Sequence, residues 1–174
     1  TGISGNTYTG ENPTVYLHGT LDSDNTIGVL DGVAQYRLSN NLTVSSGAIL
    51  TIESGVEVNL SYSSNYYQQY DILVDGQLTA NGAVFKGGHV YNYNSHYDTD
   101  ISARSGGQVN LSGCTLDTVR LFFNTNSSGS VQNCTGIWYM SIAGAAVSIT
   151  DSTVDQLVCS ESASITNNTI GYVT

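Results

Sequence analysis

Apolar and polar residues alternate in short runs along most of the chain, and the runs recur in groups of three. In the first complete group the runs are 42–44, 50–52 and 56–58, and Ser-Ser-Gly and Ser-Gly lie between them. Alternation with a period of two is typical of a half-buried β-strand, and Ser and Gly favour turns. The group returns at 72–85 and again further along the chain. A recurring strand-turn unit predicts an all-β solenoid, whose coils bury their apolar sides only by stacking.

Two independent registers support this stacking. One aligns the middle strands of successive coils at Leu50, Leu78, Val109, Gly129, Val147 and Ala163. The other aligns a turn position at Gly113, Asn133, Asp151 and Asn167, with Thr115, Thr135, Thr153 and Thr169 two residues later. Small polar side chains stacked in this way can hydrogen-bond along a ladder. We therefore predict about six coils of three strands over residues 39–174, preceded by an irregular N-terminal arm with capping strands over residues 1–38.

The sequence between Gly19 and Phe85 extends this prediction. It reads GTLDSDNTIGVLDGVAQYRLSNNLTVSSGAILTIESGVEVNL and, after an insertion, ILVDGQLTANGAVF. This stretch resembles the opening of right-handed parallel β-helix domains of the pectin-lyase-like group, which occur in many secreted and surface-anchored microbial proteins. The resemblance implies a right-handed parallel β-helix, an extracellular or cell-surface location and frequent contact with polysaccharide. It implies no particular activity, because β-helices include lyases, hydrolases, esterases, adhesins and inert stalks.

Composition and charge exclude some partners. The 174 residues are enough for one domain, and they include 4 basic and 14 acidic residues for a net charge of -10. Nucleic acid is a poor partner, because phosphate binding needs clustered Lys and Arg. We find neither an apolar run of membrane-spanning length nor a secretory leader, and we expect a mature exported chain. Charged residues make up only 10% of the chain, which suits an exported protein and equally suits turns rich in Ser, Thr and Asn.

Two insertions, 59–71 and 86–100, follow the third strands of the first two coils. Because the coils stack, we expect both insertions to leave from the same corner. They hold seven of the twelve Tyr residues: Tyr62, Tyr66, Tyr67, Tyr70, Tyr91, Tyr93 and Tyr97. Tyr combines an apolar face with a polar tip, which suits protein interfaces and sugar stacking. Ordinary packing of these rings against the outside of the coils is the alternative.

Cysteine and asparagine provide candidate modification sites. Cys114 and Cys134 fall at one turn position of neighbouring coils, where strands lie about 4.8 Å apart, within the range for a disulfide. A Cys114–Cys134 disulfide is one hypothesis, and a pair of small buried thiols is the other. Among the Asn-x-Ser/Thr triplets, Asn59 and Asn126 are predicted to lie in loops and are the better candidates for glycosylation.

The second insertion also contains ionisable residues that could belong to an active site. They are Lys86, His89, His96, Asp98 and Asp100, with Arg104 following on the next strand. Their spacing matches no metal-binding motif, and the chain has too few basic residues to hold an anionic polysaccharide. We therefore expect Asp98 and Asp100 to be solvated loop residues, and we predict no catalytic site, no metal and no cofactor.

The last predicted coil carries Ile165, Ile170, Tyr172 and Val173 and has no polar or helical cap after it. Either the chain is part of a longer protein, or another subunit covers this end. In the second case the contact is head-to-tail between copies, to which the N-terminal arm could donate a strand.

We therefore expect a non-enzymatic extracellular structural protein that assembles with itself into a surface filament or appendage. The first alternative is a carbohydrate-binding adhesin module that uses the Tyr-rich loops to contact a glycan. The second is a small polysaccharide lyase or hydrolase.

Overall fold

The structure, a computed structural model, describes residues 8–61, 69–92, 95–144, 146–160 and 163–174, and for 89–92 and 95–97 it describes the backbone alone. Every regular element in these ranges is a β-strand, and the strands form two sheets. The all-β prediction is confirmed. The described ranges contain no helix that could span a membrane.

Seven strands form a wholly parallel sheet. They are β2 (Asn25–Ile27), β4 (Ile49–Ile52), β7 (Gln77–Asn81), β11 (Gln108–Ser112), β14 (Ser128–Gln132), β16 (Ala146–Thr150) and β18 (Ser164–Thr166). Each strand pairs in register with the strand one turn of chain before or after it, and the five inner strands pair with both. Leu50, Leu78, Val109, Gly129 and Val147 lie side by side, and the pairing of Ser148 with Ser164 places Ala163 next in this row. The alignment of middle strands predicted from the sequence is confirmed.

The second sheet has twelve strands. They are β1 (Thr14–Leu21), β3 (Gln35–Val44), β5 (Glu57–Asn59), β6 (Ile72–Val74), β8 (Val84–Lys86), β9 (His89–Asn92), β10 (Ser95–Ala103), β12 (Thr115–Asp117), β13 (Val119–Phe123), β15 (Ile137–Ile142), β17 (Thr153–Cys159) and β19 (Thr169–Val173). All of its strand pairs are parallel except the hairpin of β9 and β10. The chain passes from this sheet to the seven-stranded sheet and back at each turn. The architecture is therefore a parallel, solenoid-like fold.

The inward-facing side chains of both sheets form one core. Strands such as β7 and β11 alternate buried and half-buried residues, as period-two sequences predict. Burial of a Leu, Val or Ile side chain is worth about 1.5–3 kcal/mol, so these columns supply most of the driving force for folding. Gly129 interrupts one column because a Cβ there would overlap the carbonyl of Val109 and the ring of Phe123. The Phe123 ring therefore occupies the space of the missing side chain.

One turn position in each coil has a left-handed backbone. The φ angles are 62° at Gly113, 51° at Asn133, 52° at Asp151 and 57° at Asn167. Asn and Asp tolerate this region better than other residues with a side chain, which explains their recurrence here. The N–H of Gly113 donates to Gln132 O at 2.8 Å, and the N–H of Asn133 donates to Thr150 O at 3.1 Å, so the turns stack as the strands do. The second register read from the sequence is thus confirmed.

Strands β1 and β2 lie in the region predicted as an arm with capping strands. β1 pairs in parallel with β3, and β2 pairs in parallel with β4. Both strands therefore extend the two sheets by one further turn of chain. The sequence shows this turn poorly because the segment 28–34 between β2 and β3 has no regular alternation.

Candidate functional site

The two insertions leave from one corner of the stack, as expected. Asn59 and Lys86, at the ends of β5 and β8, lie side by side where the insertions begin. Ile72 and Ile101 lie side by side just after the insertions end. The second insertion forms the hairpin of β9 and β10. We call this region the insertion corner.

The predicted Tyr cluster is described only in part. Tyr62, Tyr66, Tyr67 and Tyr93 lie outside the described residues. Tyr91 and Tyr97 lie on the two strands of the β9–β10 hairpin, where the description covers the backbone. Tyr70 is half-buried and packs against the core, which agrees with ordinary loop packing at that one position.

At the insertion corner Arg120 on β13 holds two carboxylates of β10. Its Nε and Nη2 donate to the two oxygens of Asp100 at 2.7 and 3.0 Å. Its Nη1 lies 2.7 Å from an oxygen of Asp98. A planar guanidinium matches a carboxylate in this bidentate way, whereas the ammonium of Lys does not. Asp71 completes the group, because its Oδ1 accepts the backbone N–H of Asp100 at 3.0 Å.

The environment of these carboxylates is costly for negative charge. Burial raises the pKa of Asp71, and the hydrogen bond from the Asp100 N–H only partly offsets this. Burial also raises the pKa of Asp100, against the lowering effect of Arg120. Burial acts to lower the Arg120 pKa, but Asp100 and Asp98 outweigh it and raise that pKa above its ordinary value. The corner therefore holds a permanent cation among three acids.

Aromatic rings adjoin this group. The Arg120 guanidinium lies 5.1 Å from the centre of the Phe122 ring, a cation–π contact. Phe122 and Tyr139 are 5.6 Å apart between ring centres, and Tyr139 and Trp138 are 6.1 Å apart. All three rings are half-buried. Rings beside carboxylates and a guanidinium offer stacking together with hydrogen bonding, a combination that suits a polar ligand with apolar faces.

The expectation that Asp98 and Asp100 are solvated is wrong. The Asp98 side chain is 4% exposed and that of Asp100 is 21% exposed, since Arg120 draws both against the sheet. Two further ionisable residues pair elsewhere: Lys86 pairs with Glu57 at 2.7 Å, and Arg104 pairs with Asp75. The side chains of His89 and His96 lie outside the described part of the structure.

The sequence analysis missed Arg120 as a partner of this group. The register could have identified it, because Arg120 aligns with Asp100 one coil earlier. Nowhere in the described ranges do three His, Cys, Asp or Glu side chains converge as a metal site would require.

Cys114 and Cys134 lie in contact inside neighbouring coils, and both side chains are buried. The hydrogen bond from Cys134 lowers the pKa of Cys114 to about 7. The same bond, with burial, raises the pKa of Cys134. The placement at one turn position is as predicted, and the disulfide stays a prediction. Cys159 is half-buried on β17 and packs against the core.

The two glycosylation candidates differ in their surroundings. Asn59 is the last residue of β5, not a loop residue, and its Oδ1 accepts from Ser61 N at 3.0 Å and Ser61 Oγ at 2.7 Å. Asn126 lies exposed in the turn between β13 and β14. Asn126 is therefore the more accessible of the two.

The two ends of the stack expose apolar residues. We call β18 and β19 the C-terminal face. Ile165 is 40% exposed, Tyr172 60% and Val173 59%, whereas Ile170 is half-buried against the core. Ile149, one coil from Ile165 in the same row, is fully buried. Each coil thus buries the row of the coil before it.

At the other end lie β1 and β2, which we call the N-terminal face. A hollow of about 400 Å³ opens here. Six apolar side chains line it: Leu17, Leu21, Ile27, Leu30, Leu42 and Leu50. Asp, Glu, Lys and Arg are absent from β1, β2, β18 and β19, all of which lie in the described ranges. Strand donation was predicted for the N-terminal arm. Its described residues 8–13 form no strand, β1 and β2 after it pair within the chain, and residues 1–7 lie outside the described ranges, so the donation stays a prediction.

Comparisons with protein-family models, with curated proteins and with solved structures find no match for this chain. The fold and the sites described above therefore rest on the residues of this chain alone.

Replacement of Arg120 by Ala is expected to destabilise the protein by about 2–4 kcal/mol, because Asp98 would keep its buried carboxylate and lose its cation. Urea unfolding measures the change in the free energy of unfolding. Lys86→Ala is the matched control, since the Lys86–Glu57 pair is more exposed and is expected to contribute less than about 1 kcal/mol. Equal losses in the two variants would contradict the special role of Arg120.

Asp71→Asn is expected to stabilise the protein at pH 7 by less than about 1 kcal/mol, a small figure because the side chain is only half-buried and solvent screens its interactions. The raised pKa of Asp71 in the folded state means that wild-type stability falls as the pH rises from the unfolded-state pKa through the folded-state pKa. The advantage of the Asn variant should therefore disappear below the ordinary Asp pKa of about 3.9.

Thermal unfolding at pH 7 and pH 3 measures this difference. Asp31→Asn, a change at an exposed turn residue, is the control and should alter neither value. An advantage for Asp71→Asn that is the same at both pH values would show that charge is not its cause.

Proposed function

We propose that this protein is a non-enzymatic structural module whose copies assemble end to end, the C-terminal face of one against the N-terminal face of the next. The observation that carries the proposal is the chemistry of the outermost strands. They leave apolar residues exposed and carry no Asp, Glu, Lys or Arg in a chain with a net charge of -10.

Proteins that stay monomeric protect the outer edges of their sheets. Lys, Pro, bulges or a covering loop prevent an unpaired row of N–H and C=O groups from pairing with another chain. In this chain β18 pairs on one side with β16, and β2 pairs on one side with β4. Neither strand carries a charge or a Pro. An outer strand that carries neither charge nor Pro favours pairing between copies.

We also propose that the solenoid is a right-handed parallel β-helix of about six coils or more, related to the pectin-lyase-like group, and that the protein is extracellular or on the cell surface. The support is the sequence of residues 19–85, with its resemblance to such domains, together with parallel stacking in register. A head-to-tail contact between such units does not close on itself, so the expected product is a filament.

Ile165→Asp is expected to raise the protein concentration needed for assembly at least tenfold, because it would place a carboxylate in the contact between copies. Light scattering during size-exclusion chromatography and negative-stain microscopy measure the effect. Thr79→Asp adds the same charge on the outward side of the mid-sheet strand β7 and should leave assembly unchanged. A wild-type protein that remains monomeric at high concentration, or equal loss in both variants, would sink the proposal.

A second function, binding of a neutral glycan at the insertion corner, is favoured by the rings of Phe122, Trp138 and Tyr139 beside Arg120 and its acids. Sugar rings stack on aromatic faces, while carboxylates accept hydrogen bonds from hydroxyls. In calorimetry with a panel of neutral oligosaccharides, Tyr139→Ala should weaken binding at least tenfold. Thr51→Ala, on the seven-stranded sheet, should not. A panel without any binder excludes this second function.

A further inference from the structure

The rows of the two sheets define how one copy would sit on the next. This inference rests on the assembly proposed above and adds its register. We infer that β2 of one copy pairs with β18 of its neighbour while β1 pairs with β19, so that both sheets continue in parallel from copy to copy. The strands within one chain already follow this rule at every turn of chain.

In the seven-stranded sheet, each row of paired residues begins at one residue of β2 and ends at one residue of β18. The row of Thr26 passes through Thr51, Thr79, Asn110, Ser130 and Ser148 to Ser164. The row of Ile27 ends in the same way at Ile165. Continuation of the stack places Thr26 of one copy beside Ser164 of the next, and Ile27 beside Ile165. A slip of one residue would turn Ile165 outward and leave the core row unmatched.

The twelve-stranded sheet supplies the second pair of outer strands, β1 and β19. Val15 opens an inward row through Tyr36, Val58, Phe85 and Leu116, and at the other end of the stack Ile170 pairs with Val154. In the neighbouring row Gly19 pairs with Leu42, and Leu157 pairs with Val173. Continuation of the stack sets Gly19 over Val173 while it sets Ile27 over Ile165. Val15 lies four residues before Gly19, whereas Ile170 lies three residues before Val173, so pairing of Val15 with Ile170 as well needs one bulged residue in β1. β1 already shifts its register against β3 between Leu17 and Gly19.

The hollow of the N-terminal face can receive the apolar side chains that the C-terminal face of the next copy exposes. Leu42 and Leu50 form its floor and are fully buried, while Leu17, Leu21 and Ile27 lie half-buried on its walls. An added coil covers such a hollow as each coil within the chain covers the one before it. The exposed Ile165 and Val173 are the side chains that would do so.

Charge does not oppose this contact at the strands themselves. Asp22 and Asp24 lie in the turn between β1 and β2, but both face the coil behind. Asp22 accepts a hydrogen bond from Ser45 Oγ, and Asp24 accepts one from the N–H of Ile49 at 2.9 Å. Both carboxylates therefore already have a hydrogen-bond partner within their own copy.

Cross-linking distinguishes this register from others. In a Cys159→Ser background, Thr26→Cys with Ser164→Cys should give a ladder of disulfide-linked oligomers on a non-reducing gel, because neighbouring strands lie about 4.8 Å apart, within disulfide range. Thr26→Cys with Thr166→Cys is the matched control. Its two cysteines would be offset by two residues, so its ladder should be at least tenfold weaker.

Microscopy of each variant shows separately whether assembly occurs. Filaments with the in-register ladder support the inference, and seven strands per copy at about 4.8 Å give an axial repeat of about 34 Å. Filaments in which the two pairs cross-link equally, or not at all, overturn the register and leave the proposed function standing. Wild-type protein that forms no filaments overturns both.

Discussion

In-register stacking of parallel strands is the constraint on which the rest of this structure depends. A residue one coil ahead lies about 4.8 Å away in the same surroundings, so whatever suits one position must suit its whole row. Leu50, Leu78 and Val109 are buried together for this reason. The left-handed turn of Gly113 is likewise shared by Asn133. Because a one-residue slip would turn every core side chain to solvent, the apolar rows also fix the register.

The same constraint limits charge. Two like charges in one row, about 5 Å apart, repel by about 1–3 kcal/mol in surroundings between bulk water and a protein surface. Asp71 and Asp100 break this rule, and Arg120 is the next residue of their row. Elsewhere neutral groups stack, as where Ser130 Oγ donates to Asn110 Oδ1 at 3.1 Å. Stacking alone is therefore enough to explain why only 10% of the residues are charged. The low charge is no argument for an extracellular location, and that proposal rests on the sequence resemblance.

What the sequence could predict follows from the same physics. Repetition of one residue class is visible in a sequence, so the middle-strand row from Leu50 to Val147 and the turn row from Gly113 were predictable. Pairing between unlike residues is not visible in this way. Arg120 and Asp100 belong to different residue classes and lie in separate coils, so no repetition indicates their contact. The further turn of chain formed by β1 and β2 was not predicted, because the segment 28–34 interrupts the alternation of apolar and polar residues. Gly129 was aligned correctly from its place in the row, but the sequence does not show that the ring of Phe123 fills the space of its missing side chain.

A stack of this kind has no intrinsic last coil. Each coil is completed by the next, so the outermost coil always presents the same apolar row that its predecessor buried, as Ile165 does after Ile149. β18 and β19 keep this interior pattern and carry no Asp, Glu, Lys or Arg. Each added copy is shifted along the axis of the stack and brings the same two faces together. Such a repeated shift never closes into a ring, so the contact builds an assembly that extends in one dimension.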